Sequence, residues 1–213
     1  VIYSDKEYVR DLFAVRSSPP LSMPGILPTV LNLGFNGRST GSDFIDKVRI
    51  RGMIDYGVNV LGMDKTILSN IENELCIKEM ELRKSDSIKW KTYPYSYLRY
   101  EAFSRYWENA EQRYMVKFPE NRREKLRQTI KAIALSWVSK KVKAFRKANN
   151  IPDKPCMSII VQEMVFGNLN DNSATGVAFS RNPNTAKKVL SGSFLVKAQG
   201  TDLVSGSRLG EPI

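Results

Sequence analysis

Histidine is absent from all 213 residues. That absence excludes a Ser-His-Asp triad, a Cys-His nucleophile pair, a His-ligated zinc and a phosphohistidine from within the chain. Cysteine is scarce. Cys76 and Cys156 stand far apart and neither lies in a CxxC, which excludes zinc ribbons and thioredoxin-like motifs. Both read as reduced thiols of a cytoplasmic protein. No run of 18 apolar residues occurs, so no membrane-crossing helix is expected, and the start carries no signal-peptide pattern. An initiator Met is also lacking, and Val1-Ile2-Tyr3-Ser4 reads as a chain entered part-way. There is neither a Walker A loop nor a Rossmann glycine fingerprint, and no internal repeat or low-complexity tract.

What is present is ordinary globular composition, 42% apolar and 26% charged, with a basic excess of 33 Lys and Arg over 22 acids, net +11. Such a surface suits nucleic acid, a membrane face or a polyphosphate ligand. The cations concentrate in Asn121–Asn150, where Arg122, Arg123, Lys125, Arg127, Lys131, Lys140, Lys141, Lys143, Arg146 and Lys147 read as the solvated face of a helix.

The pattern along the chain is β-rich at both ends and helical between. Residues 11–16 read as a strand closed by a Pro-, Ser- and Gly-dense loop, Ser17 to Gly25. Ile26–Leu33, closed by Gly34, reads as a short helix with a glycine stop. Ser42-Asp43 caps a helix carrying Phe44, Ile45 and Val48, and a second helix starts near Asp64 with Ile67, Leu68, Ile71 and Leu75 on one face. The aromatics from Tyr93 to Tyr114 place Tyr100, Phe103 and Trp107 on one helical stripe. Interleaved with Arg99, Arg105 and Arg113, they suit either a core face or a base-stacking surface.

One long helix is expected over 119–149, with Leu126, Ile130, Ile133, Trp137, Val142 and Phe145 buried, stopped by Asn149-Asn150 and Pro152. Met157–Phe166 reads as a strand covered on both faces. Thr175–Ser180 and Ser193–Ala198 add two strands of an antiparallel meander. The layout is α+β, divided as 1–40, 41–150 (a helical insert) and 151–213.

Three places carry candidate chemistry. Arg16 ends a strand beside a loop holding Ser17, Ser18, Ser22 and Gly25. A guanidinium near hydroxyls and a close-approach glycine meets the needs of a polyphosphate. Gln162-Glu163-Met164-Val165 ends a strand, where exposed backbone groups beside an apolar side chain can hold a purine edge. Gln199, Asp202 and Glu211 follow the last strand and supply oxygens suited to Mg2+ near phosphate.

Taken together these segments resemble the pyruvate, phosphate dikinase family. The matching runs are Val15-Arg16-Ser17-Ser18, Ser22-Met23-Pro24-Gly25, Thr29-Val30-Leu31-Asn32-Leu33-Gly34, Val161 to Asn168, Gly176 to Pro183, and Phe194 to Gly200 with Arg208. The resemblance implies an ATP-grasp-like nucleotide-binding domain with a large helical insert. The family interconverts ATP, phosphate and pyruvate with AMP, diphosphate and phosphoenolpyruvate through a phosphohistidine on a separate domain. It implies ATP and Mg2+ as cofactors, and as partners the phosphohistidine domain and a pyruvate-binding barrel of the same protein, which acts as a homodimer.

By position it makes Arg16 the catalytic phosphate-contacting residue. Ser22, Met23, Gly25 and Thr29 close over the phosphates, and Arg51 assists. Glu163, Met164 and Val165 hold adenine, Gln199 and Arg208 face the triphosphate, and Asp202 and Glu211 hold the metal. The chain departs from the family at Pro28, Leu135, Ser193, Lys197 and Thr201, which opens a second reading as a divergent, weakly catalytic nucleotide-binding or regulatory module. Nucleic acid is not expected to be the partner, and the 213 residues alone are expected to show no turnover.

Overall fold

A computed structural model describes residues 12–23, 25–34, 42–84, 95–154, 156–204, 206 and 208–213. Asp11, Pro24 and Tyr93, which the sequence reading drew on, lie outside the described residues. The chain divides into two compact units, Val1–Met164 and Val165–Ile213. Among the described residues no helix is long and apolar enough to cross a membrane.

In the first unit a three-stranded antiparallel sheet has β1 (Phe13–Ser18) between β2 (Thr29–Leu33) and β3 (Ser158–Glu163). Phe13, Ala14 and Val15 are all buried, so β1 is covered on both faces until the chain emerges at Arg16. The helix expected over Ile26–Leu33 is instead β2. Thr29 and Val30 are β-branched and follow Pro28, and they pair with Arg16 and Val15 of β1. The register then slips by one, and Leu33 meets Phe13. This bulge puts Asn32 at φ +54, a conformation that asparagine tolerates better than most residues.

Among the described residues, five helices lie between β2 and β3. Ser42 caps α1 (Asp43–Asn59) by accepting the Ile45 N–H, and Asp64 accepts the Thr66 and Ile67 N–H groups at the start of α2 (Lys65–Lys84). The third helix, α3 (Tyr95–Tyr114), sends Phe103 and Trp107 inward, their rings 6.0 Å apart. With Ile50, Met63, Leu68 and Leu75 they form the core of the insert, so this stripe is core and not a stacking surface. A second cluster, Phe13, Val15, Val30, Leu33, Tyr56 and Ile133, joins the sheet to the helices.

The single helix expected over 119–149 is two, α4 (Arg122–Ser136) and α5 (Lys140–Ala148). Ser139 breaks the run by capping α5, accepting the Val142 N–H at 3.3 Å. On α4 the inward face is Lys125, Thr129 and Ile133. Ile130, one residue past Thr129 and so about 100° around the helix, is exposed rather than buried. Asn149 and Asn150 end α5 as expected, with Asn150 at φ +54 and the Ile151 N–H returning to the Arg146 carbonyl.

The strand expected over Met157–Phe166 is shorter, and it is not covered on both faces. Ile160 and Val161 on β3, an end strand of the sheet among the described residues, are 45% and 49% exposed, so neither face of β3 is closed over there. In the second unit β4 (Ala174–Phe179) and β5 (Ser191–Val196) pair antiparallel as expected, but β3 pairs with β1 in the other sheet. The third strand here is β6 (Glu211–Pro212), which the sequence did not announce, with a five-residue helix α6 (Gly200–Val204) before it.

Candidate functional site

The sheet of the first unit sets the position of Arg16. Its neighbours across the ladder are Thr29 on β2 and Ile160 on β3, and its side chain is exposed where the buried run of β1 ends. Ser17 beside it donates its hydroxyl to the Pro28 carbonyl at 3.2 Å, so that hydroxyl fixes the loop's return.

The loop itself is anchored by its apolar member. Met23 is buried against Trp137 and Val142, where α4 meets α5. The Ile26 N–H donates to the Met23 carbonyl at 3.2 Å, and Gly25 takes φ +70, which a side chain would strain. Lys141 on α5 donates to the Gly25 carbonyl at 3.4 Å. Held at Met23 and Gly25, the loop leaves Ser22 and the Gly25 backbone at the surface. Arg51 is half-buried on α1.

The connector after β3 is tied down from two sides. Met164 donates its N–H to the Leu12 carbonyl at 3.1 Å. Its sulfur accepts the Asn32 N–H, also at 3.1 Å. The neighbouring N–H of the bulge, that of Leu31, donates to Asp55 Oδ2 on α1 at 3.3 Å. Glu163 is exposed opposite Phe13, and Val165, the first residue of the second unit, is 95% exposed.

In the second unit Gln199 is buried, and its backbone N–H donates to Asp202 Oδ2 at 3.0 Å. The Arg208 N–H donates to the Asp202 carbonyl at 3.2 Å, which folds Gln199, Asp202 and Arg208 around α6. Glu211 is exposed on β6 opposite Phe194. Lys197 reaches Asp171 at 2.6 Å. Among the described residues no group of three Cys, Asp or Glu is gathered to cage a metal ion.

The sequence candidates therefore fall into two sets. Arg16, Ser22, Met23, Gly25, Thr29, Arg51, Glu163 and Met164 belong to the first unit, and Val165, Gln199, Asp202, Arg208 and Glu211 to the second. Asp55 was not named by the sequence, Lys141 read there only as solvated helix surface, and Asn32 only as part of a run resembling the family. Only Asn32 left a signal there, as a residue suited to positive φ inside an apolar run.

Glu124 and Lys125, neighbours on α4, are both perturbed. Glu124 is held down to about 2 by hydrogen bonds from Arg127 and Gln128. Lys125 is buried with its ammonium 4.6 Å from the Phe118 ring centroid. Desolvation and the nearby Arg49 cation bring it down to about 8, against a raising effect of Glu120.

Residues 3–210 match the profile of a family described as pyruvate phosphate dikinase, AMP/ATP-binding domain. Among curated proteins, the chain is 36% identical over 205 residues to a pyruvate, phosphate dikinase of Rickettsia bellii (strain RML369-C). It is 34% identical over 212 residues to one of Rhizobium meliloti (strain 1021), and 35% over 203 residues to pyruvate, phosphate dikinase 2 of Zea mays. Each alignment covers 95% of this chain and 23% of the relative, so the chain spans under a quarter of the length of these relatives.

Proposed function

Because the chain belongs to the pyruvate phosphate dikinase AMP/ATP-binding domain family, we propose that it serves as the ATP-binding part of a pyruvate, phosphate dikinase with an ATP-grasp-like fold. The observation that carries this reading is the pairing of Arg16 with Thr29 beside a loop anchored at Met23. A polyphosphate needs a cation at fixed distance, hydroxyl and N–H donors, and backbone that can approach closely. Arg16 supplies the bidentate cation, Ser22, Gly25 and Thr29 the donors, and Arg51 a second charge. The purine lies against the connector. Since the Met164 N–H is already engaged by Leu12, recognition falls to the backbones of Glu163 and Val165. The family resemblance also assigns Gln199 and Arg208 to the triphosphate.

A Mg2+ ion that keeps several waters and takes phosphate oxygens needs one or two protein carboxylates. Asp202 and Glu211 fit that requirement in number and chemistry. The hydrogen bond from the Gln199 N–H orients the Asp202 carboxylate, and the ion pair with Asp171 draws the Lys197 charge to a partner. When bound, the cation neutralises phosphate oxygens.

The whole protein, in this reading, interconverts ATP, phosphate and pyruvate with AMP, diphosphate and phosphoenolpyruvate in the cytoplasm as a homodimer. The chain has no histidine, so the phosphohistidine belongs to a further domain, and the pyruvate site to a barrel beyond that. In the complete protein, Arg16→Ala is expected to weaken ATP binding about 10- to 100-fold by calorimetry, the worth of a hydrogen bond to a charged group. Unchanged affinity in that variant, or no ATP binding by the unaltered protein, overturns the reading.

The second reading is a divergent, weakly catalytic module. Ser193, Lys197 and Thr201, where the chain departs from the family it resembles, favour it. ATP-dependent phosphoenolpyruvate formation by the complete protein rejects it.

A further inference from the structure

The bulge in β2 exposes a problem that the fold must solve. Leu31 and Asn32 present successive N–H groups where the ladder to β1 slips, and Asn32 is buried. The two donors receive acceptors of different strength. Leu31 is bound by a carboxylate, Asp55, while Asn32 meets a thioether, a weak acceptor, from a residue 132 positions away.

Met164 does more there than fill space. Its own N–H is held by Leu12, just before β1, so backbone and side chain grip two different segments. The residue thereby sets the place and orientation at which the chain leaves β3. Three residues along β2 from Asn32 is Thr29, which pairs with Arg16. At roughly 3.3 Å per residue the two anchor points stand about 10 Å apart, so one strand serves the connector at one end and the phosphate-facing arginine at the other.

We propose that Met164 is a positioning residue for purine recognition, its sulfur fixing the 163–165 connector to the bulged strand through the Asn32 N–H. The inference rests on the nucleotide-binding reading above. It adds that the thioether is used as a hydrogen-bond acceptor, and that its loss is felt at the base and not at the phosphates.

The test uses the complete protein and two probes, ATP and inorganic tripolyphosphate, by calorimetry. Met164→Leu keeps the volume and removes the acceptor. Met164→Gln keeps an acceptor of similar reach. Met164→Leu should lose about tenfold in ATP affinity, the scale of one hydrogen bond, with tripolyphosphate binding unchanged, and Met164→Gln should recover most of that loss. Amide exchange of the peptide spanning 29–33 should quicken in Met164→Leu and stay slow in Met164→Gln, a readout that needs no ligand.

Equal loss of both probes overturns the proposal in favour of general destabilisation. So does a Gln variant no better than the Leu variant, and so does unaltered ATP binding in Met164→Leu. Failure of the unaltered protein to bind ATP tighter than tripolyphosphate instead removes the nucleotide-binding reading itself, and the proposal with it.

Discussion

The Arg146 guanidinium lies 4.0 Å from the Trp137 ring centroid and donates to the Trp137 carbonyl at 3.2 Å, so one side chain binds both the face and the backbone of the other. It also reaches Asp153 at 2.7 Å. Because Asp153 is 88% exposed, that ion pair contributes little, and the desolvated stacking and the carbonyl bond dominate. Arg146→Ala should cost about 2–4 kcal/mol of unfolding free energy in urea titration. Arg146→Lys should retain less than half of the lost stability, because lysine lacks the planar fork. Trp137 also packs on Met23, so amide exchange around residues 22–26 should quicken in both variants.

Lys125 gives a pH dependence with a definite sign. Its pKa falls from 10.5 unfolded to about 8 folded, so between those values the unfolded chain binds more protons. The stability contribution of this group therefore rises with pH from about 8 to 10.5, and below about 8 its full penalty applies. The groups facing the ammonium are Arg49 and Phe118, with Glu120 opposing their effect. Lys125→Met should be more stable than the unaltered protein by about 1–3 kcal/mol at neutral pH. That advantage should shrink across the same window. Urea midpoints measured as a difference between the two proteins cancel the raised pKa of buried Tyr56, which both share.

Glu124 is the acidic counterpart. Its carboxyl should titrate near 2 by carbon-detected NMR, and Arg127→Met should move the midpoint up toward 4.5, because Arg127 is the larger of its two hydrogen-bond donors. A midpoint unmoved by that substitution would assign the shift to Gln128.

Gly167 sits in the run Phe166-Gly167-Asn168, and a Cβ added there would stand 2.5 Å from the Ala198 carbonyl oxygen and 2.6 Å from that of Ala174. Both obstacles are backbone, so Gly167→Ala forces main chain to shift and should destabilise by about 2 kcal/mol or more in urea titration. Gly25→Ala meets no atom within 4 Å but must hold φ +70, and should cost about 1 kcal/mol.

How much of this was legible in the sequence depended on whether the deciding contact was local. The caps at Ser42 and Asp64 and the stop at Asn149-Asn150 use groups within a few residues, and composition announced them. The strand at Thr29–Leu33 was misread because its bulge spoils the alternation that marks a strand, and its partner β1 comes before a Pro-rich loop. The break at Ser139 carries no Gly or Pro. Lys125 and Arg146 looked like two more surface cations, and nothing in their spacing says that Phe118 and Trp137 cover them. At the candidate site, Arg16 and the Gly25 turn were visible, while Asp55, Lys141 and the reach of Met164 to Asn32 exist only through tertiary contact.

The one-residue slip in β2 is an addition to the ladder and not a requirement of its pairing. Upstream, Thr29 and Val30 face Arg16 and Val15; downstream, Leu33 faces Phe13, so three steps on β2 answer two on β1. Deleting a single residue at 31 or 32 would close the ladder into a regular one with both pairings kept. What a three-nucleotide deletion in the coding sequence would remove is one of the two surplus N–H groups, and with it the tie to Asp55 or to Met164.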